Sequence, residues 1–187
     1  EQRLQQLIEQ NQNSRISNTI YTIPVVVHIV WKTGSQNITD AQILSQIAVL
    51  NEDFGHMNAD TASIPVSWRS ISGPSNFQFC LAQRDPNGNS TTGIERRQTT
   101  ATSFNTNDNV KYYTTGGMDA WDTRTYFNIW VCNLSGGIIG YAEFPTSQSS
   151  DTYGVVIQYD SFGRVGTVSY PYNKGRTASH EIGHCFN

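Results

Sequence analysis

A chain of 187 residues with a 37% apolar share has enough material for one domain with its own core, and charged side chains make up only 14% of it. A net charge of −3, from 12 Lys and Arg against 15 Asp and Glu, offers no basic footprint for nucleic acid or for an anionic membrane surface. No apolar run nears the roughly 20 residues of a membrane-spanning helix. In chain order, Arg3 to Gln12 is Gln-rich with Leu4, Leu7 and Ile8 at helical spacing, so residues 1–19 read as an N-terminal arm or the remnant of a pro-segment. Ile20 to Trp31 is a β-branched run suited to a buried central strand. Thr39 predicts the N-cap of a helix running to about Phe54, with Ile43, Leu44, Ile47 and Leu50 as its apolar face. Phe77 to Gln83 reads as a second strand, closed by the turn Asp85-Pro86-Asn87-Gly88.

From Thr91 to Arg124 the chain is loop-rich, with Gly116-Gly117 at a tip, and only short elements are expected there. Tyr126 to Cys132 returns as a strand. Ser135-Gly136-Gly137 then turns into Ile138 to Phe144, where Gly140, Tyr141 and the following Pro145 favour an edge position. Val155 to Tyr159 is the last strand before a helix that starts near Thr177. Strands alternating with helices predict an α/β chain on a twisted, mostly parallel sheet with right-handed crossovers.

The last eight residues, His180-Glu181-Ile182-Gly183-His184-Cys185-Phe186-Asn187, contain H-E-x-x-H. Positions four apart differ by only about 40° around a helix, so His180 and His184 project from one face and can share one ion. Neutral imidazoles suit Zn²⁺, a hydrolytic site keeps a coordination position open, and Glu181 is placed to act as general base. In the longer pattern H-E-x-x-H-x-x-G-x-x-H a glycine ends the helix so that a third histidine reaches the metal. Asn187 stands at that glycine position, and Asn tolerates the left-handed turn required. The third histidine is expected three positions past Asn187.

Further stretches carry a resemblance. They are Ile23-Pro24-Val25-Val26-Val27-His28-Ile29-Val30, Asn37 to Ile43, Val49 to Phe54, Phe79-Cys80-Leu81-Ala82, Gly93-Ile94, Phe127 to Val131, Gly140-Tyr141-Ala142, Phe144-Pro145 and Gly154 to Ile157. Together with the zinc motif, and in this order, the chain resembles the pappalysin family of metzincin zinc metalloendopeptidases, of the ulilysin and cytophagalysin type. The resemblance implies that residues 20–187 form the N-terminal subdomain of a metzincin-like catalytic domain, with a backing helix, an active-site helix and an antiparallel edge strand. It implies a secreted peptidase with Zn²⁺ as cofactor and Ca²⁺ as a further cation of the family. It also makes Ile138, Ile139, Gly140, Tyr141 and Ala142 the strand that takes an extended protein or peptide substrate. A C-terminal segment completing the zinc site is the expected partner, with no nucleic acid and no membrane.

Other polar residues get plainer readings. His28 is expected as a hydrogen-bonded core histidine and His56 as a partner for the helix C-terminus. Asp108, Asp119, Asp122 and Asp151 lack the spacing of a calcium loop and read as solvated loop carboxylates. Cys80 and Cys132 read as buried thiols, whereas any partner of Cys185 is expected downstream. The alternatives are a non-catalytic fragment or binding domain, and an adhesion module using loop aromatics Tyr112, Tyr113 and Trp121.

Overall fold

The computed structural model describes residues 19–145 and 150–186; the Arg3 to Gln12 segment and Asn187 lie outside them. Among these residues six strands form one sheet, in which β1 (Tyr21–Trp31) is an interior strand paired on both sides. Strand alternation explains why β1 lies in the interior of the sheet. Val25, Val27 and Ile29 enter one core cluster, while Val26 and Val30 enter clusters on the other side, so both faces are apolar. Along one edge β1 pairs in parallel first with β2 (Phe77–Leu81) and then with β3 (Ile94–Gln98). On the other side follow β4 (Phe127–Cys132) and β6 (Gly154–Gln158), both parallel. β5 (Gly140–Ala142) pairs antiparallel with β6 and forms the edge.

Two helices cover one face. α1 (Asp40–Phe54) starts where expected, with the Thr39 hydroxyl accepting from the Gln42 amide at 3.2 Å. Ile43, Ile47 and Leu50 are buried on the sheet, but Leu44 is 55% exposed: one residue of helix rotates it about 100° from Ile43, toward solvent. α2 (Arg176–Phe186) packs beside it through Ala178, Ile182 and Cys185. At its end the Phe186 ring lies among Phe54, Phe77, Phe79 and Phe127.

The opposite face is covered by the loop-rich stretch, which is a packed layer carrying Phe104 and Val110 and is joined there by Leu134, just past β4. β3 also lies within that stretch, and its polar sequence conceals it. Glu95 Oε2 lies 2.8 Å from His28 Nδ1, Arg96 pairs with Asp40 at 2.5 Å, and Arg97 donates to the Tyr113 and Gly117 carbonyls. His28 is fully buried, with Nε2 2.9 Å from Asn128 Oδ1 and its ring stacked on Trp130. Trp121 is buried too, in contact with Tyr126, so it is not a free loop aromatic. No helix among the described residues is long and apolar enough to cross a membrane.

Candidate metal centre

α2 has two faces of different chemistry. With Ala178, Ile182 and Cys185 turned inward, helical rotation sends His180 outward and leaves Glu181 and His184 half-buried at the rim. The two imidazoles converge: Nε2 of His180 and Nε2 of His184 are 3.2 Å apart, with their ring planes at 87°. Two nitrogens bound to one tetrahedral zinc at about 2.0–2.1 Å stand about 3.3–3.4 Å apart, so the pair already has the separation such an ion requires. Among the described residues no third His, Cys, Asp or Glu joins them.

The helix is held by residues far away in sequence. The α1 glutamines Gln42 and Gln46, both buried, reach across to the connection that leads into α2. Gln42 Nε2 donates to the Tyr159 and Phe162 carbonyls at 3.1 and 2.9 Å, and its Oε1 accepts from the Thr167 amide at 3.0 Å. Gln46 accepts from the Gly163 amide at 2.6 Å and donates to the Gly175 carbonyl at 3.0 Å. Gly163 has φ 85°, and a Cβ there would stand 2.6 Å from the Gln42 carbonyl, so glycine is required for this approach. Asp53 anchors the first turn of α2: Ser179 donates to its Oδ2 at 2.5 Å, and Arg176 lies 3.2 Å from its Oδ1 without making a hydrogen bond. Burial raises the Asp53 pKa, against the Ser179 hydrogen bond and the Arg176 charge. These contacts carry no motif; Asp53 lies in one of the family-like stretches, but nothing in the sequence shows its role.

β5 forms the wall facing the helix. A Cβ on Gly140 would lie 3.0 Å from Cγ of Glu181, and the Phe144 ring is 5.3 Å from that of His184. The Glu143 amide donates to the Gly154 carbonyl at 3.1 Å and the Gln158 amide to the Ile139 carbonyl at 2.9 Å. By antiparallel alternation, Tyr141 shares that inner ladder, whereas the main-chain groups of Gly140 and Ala142 face the outer edge. The strand spans three residues rather than Ile138 to Phe144, and Ile138 packs into the far-side core.

Glu181 is half-buried between β5 and the histidines. Burial raises its pKa, while His180 and His184 pull it down. Cys185 points inward as a buried free thiol. Its sulfur is 3.7 Å from the Gly154 carbonyl, and burial pushes the thiol up to about 12. Its carbonyl accepts from the Tyr153 hydroxyl at 2.6 Å, fixing the end of the helix. His56 lies past α1 with its Nδ1 3.3 Å from Ser72 Oγ.

No family model matches the chain. Mature mirolysin of Tannerella forsythia, solved with a cleaved peptide, is 53% identical with a TM-score of 0.87, over 91% of this chain and 64% of that one. A promirolysin mutant from the same organism is 49% identical with a TM-score of 0.90, over 100% of this chain and 62% of that one. The chain closely resembles the mirolysin-like metzincin proteases of the pappalysin family. Its mixed sheet, backing helix and HExxH helix match the metzincin-like subdomain seen in mirolysin. An extracellular metalloprotease of Arthroderma otae is 28% identical over 172 residues, 87% of this chain and 50% of that protein. One from Pyricularia oryzae is 28% identical over 170 residues, 88% of this chain and 49% of that protein. The chain thus spans about half the length of the curated relatives it matches and less than two thirds of mirolysin.

Proposed function

We propose that the chain is the zinc-binding part of a secreted metalloendopeptidase, in which residues 20–187 are the N-terminal subdomain of the catalytic domain. The observation that carries this reading is the 3.2 Å convergence of His180 and His184 Nε2, with Glu181 next to them on the helix and its Cγ 3.0 Å from where a Cβ on Gly140 of β5 would stand. Identity to mirolysin supports it, as do the extracellular metalloproteases among the relatives. His180 and His184 supply two donors, and the third belongs to a residue outside those described, three positions past Asn187 on the metzincin spacing. Among the described residues no group of three or more His, Cys, Asp or Glu is placed to hold a calcium ion.

Bound zinc supplies Lewis acidity, which polarises the scissile carbonyl and lowers the pKa of the attacking water. An extended peptide lies along β5, where Gly140 and Ala142 hold its main chain by strand addition with little regard to side chains. Glu181 takes the water proton at its carboxylate and returns it to the leaving amine; its half-buried position at the rim keeps it within reach of both.

The test uses the complete protein. Glu181→Ala should retain one zinc per molecule by metal analysis and lose about 10²- to 10⁴-fold in peptide cleavage, the usual contribution of a general base. Full activity in that variant overturns the base assignment. The two-donor set also permits a non-catalytic binding domain, and a complete wild-type protein with no stoichiometric zinc and no cleavage would establish that reading instead.

A further inference from the structure

The chemistry proposed above makes no use of Lys111, yet its side chain is wholly buried, a position an ammonium holds only when paired. It closes the short turn Asn109–Lys111 beneath the sheet. Its Nζ is 2.8 Å from Asp108 Oδ1, 3.1 Å from Glu143 Oε1 and donates to the Thr152 carbonyl at 2.8 Å. The same nitrogen sits 5.2 Å from the Tyr141 ring centroid, and the Tyr141 hydroxyl donates to Asp108 at 3.2 Å. Asp108 itself has φ 63°, a left-handed conformation that a non-glycine residue keeps only where its surroundings impose it. Asp108 is therefore no solvated loop carboxylate.

Each contact leads to the cleft wall. Tyr141 is the middle residue of β5, Glu143 follows its last residue, and Thr152 stands just before β6. Alternation turns Tyr141 to the face opposite Gly140 and Ala142, so the cluster grips β5 from the side away from Glu181. A strand of three residues, paired on one side only, has few ladder bonds to fix its position.

We propose that Lys111 is a positioning residue: through Asp108, Tyr141 and Glu143 it sets how β5 lies over Glu181, and so how an extended peptide is aligned for cleavage. The proposal rests on the peptidase reading of the site. Main-chain bonds to β5 form on binding and persist through reaction, so loosening the strand raises KM more than it lowers kcat.

The experiment compares wild type, Lys111→Met and the double variant Lys111→Met/Glu143→Gln in the complete zinc-loaded protein. The double variant also removes the Glu143 charge, leaving Asp108 with the Tyr141 hydroxyl as its donor, and it carries the test if the single variant fails to fold. With zinc content unchanged, KM for an extended octapeptide should rise about tenfold, as for loss of one hydrogen bond to a charged group, with kcat within about threefold. Hydrogen exchange at the Glu143 amide should accelerate by about the same factor. Lower thermal stability with unchanged KM and unchanged exchange across 138–144 overturns the proposal. If wild type cleaves no peptide, the peptidase reading fails, and the exchange at Glu143 alone decides whether Lys111 positions β5.

Discussion

Gly140 leaves room for the arm of Glu181. A methyl group there would stand 3.0 Å from Glu181 Cγ and 3.2 Å from both Thr177 Cγ2 and Ile157 Cδ1, each closer than ordinary van der Waals contact. Ile157 belongs to a packed strand and Thr177 to a buried helical turn, so the carboxylate arm is the part that yields. If Glu181 is the base, as proposed above, Gly140→Ala should therefore lower kcat by about tenfold through its misplacement, while zinc content stays at the wild-type level. Steady-state kinetics with metal analysis checks this, and an unchanged kcat shows that the strand shifts instead of Glu181. The same site shows what a single residue leaves unsaid. The convergence of His180 and His184 is legible because one helical turn fixes their relation, whereas the need for a small residue at 140 arises only when β5 meets α2.

At the scale of elements, two buried glutamines on α1 do what a cap or a turn cannot, holding a long connection in place so that α2 begins at the right point. Gln46→Ala leaves the Gly163 amide and the Gly175 carbonyl without their partner inside the protein. The expected cost is about 2–4 kcal/mol in urea unfolding, from two buried groups left unsatisfied. Zinc affinity should fall as well, since Gly175 directly precedes α2; equal stability and equal affinity would remove Gln46 from this role. The elements were unevenly legible. β1 and α1 were readable within a residue because an apolar run and a Thr cap are local signals. β3 was not, because its glutamate and two arginines are paired with His28, Asp40 and backbone carbonyls that only the fold brings near. Lys111 escaped for the same reason: a lysine in a polar stretch reads as solvated until Asp108 and Glu143 are seen to converge on it.

Across the whole molecule, the junction at Asp53 joins α1, the turn Ala59–Ser63 and the start of α2, because Arg176 reaches both Asp53 at 3.2 Å and Asp60 at 2.9 Å. Burial raises the Asp53 pKa in the folded protein, so the folded state binds that proton more tightly than the unfolded chain, where an aspartate titrates near about 3.9. Asp53 thus contributes stability that is fully present below the unfolded value and is lost as pH rises through the folded one. The exposed pair Glu52 and Arg164 runs the other way: the arginine lowers the Glu52 pKa, and its small contribution is lost as pH falls. A stability curve of the wild type alone mixes both signs, but a comparison with Asp53→Asn cancels Glu52. Asparagine keeps an oxygen for the Ser179 hydroxyl and does not titrate. Urea unfolding of the two proteins should show the wild type gaining on Asp53→Asn as pH is lowered from neutrality toward about 4. A difference that is flat, or that grows toward neutral pH, would mean that the Arg176 charge outweighs burial and that the helices are joined by an ordinary ion pair.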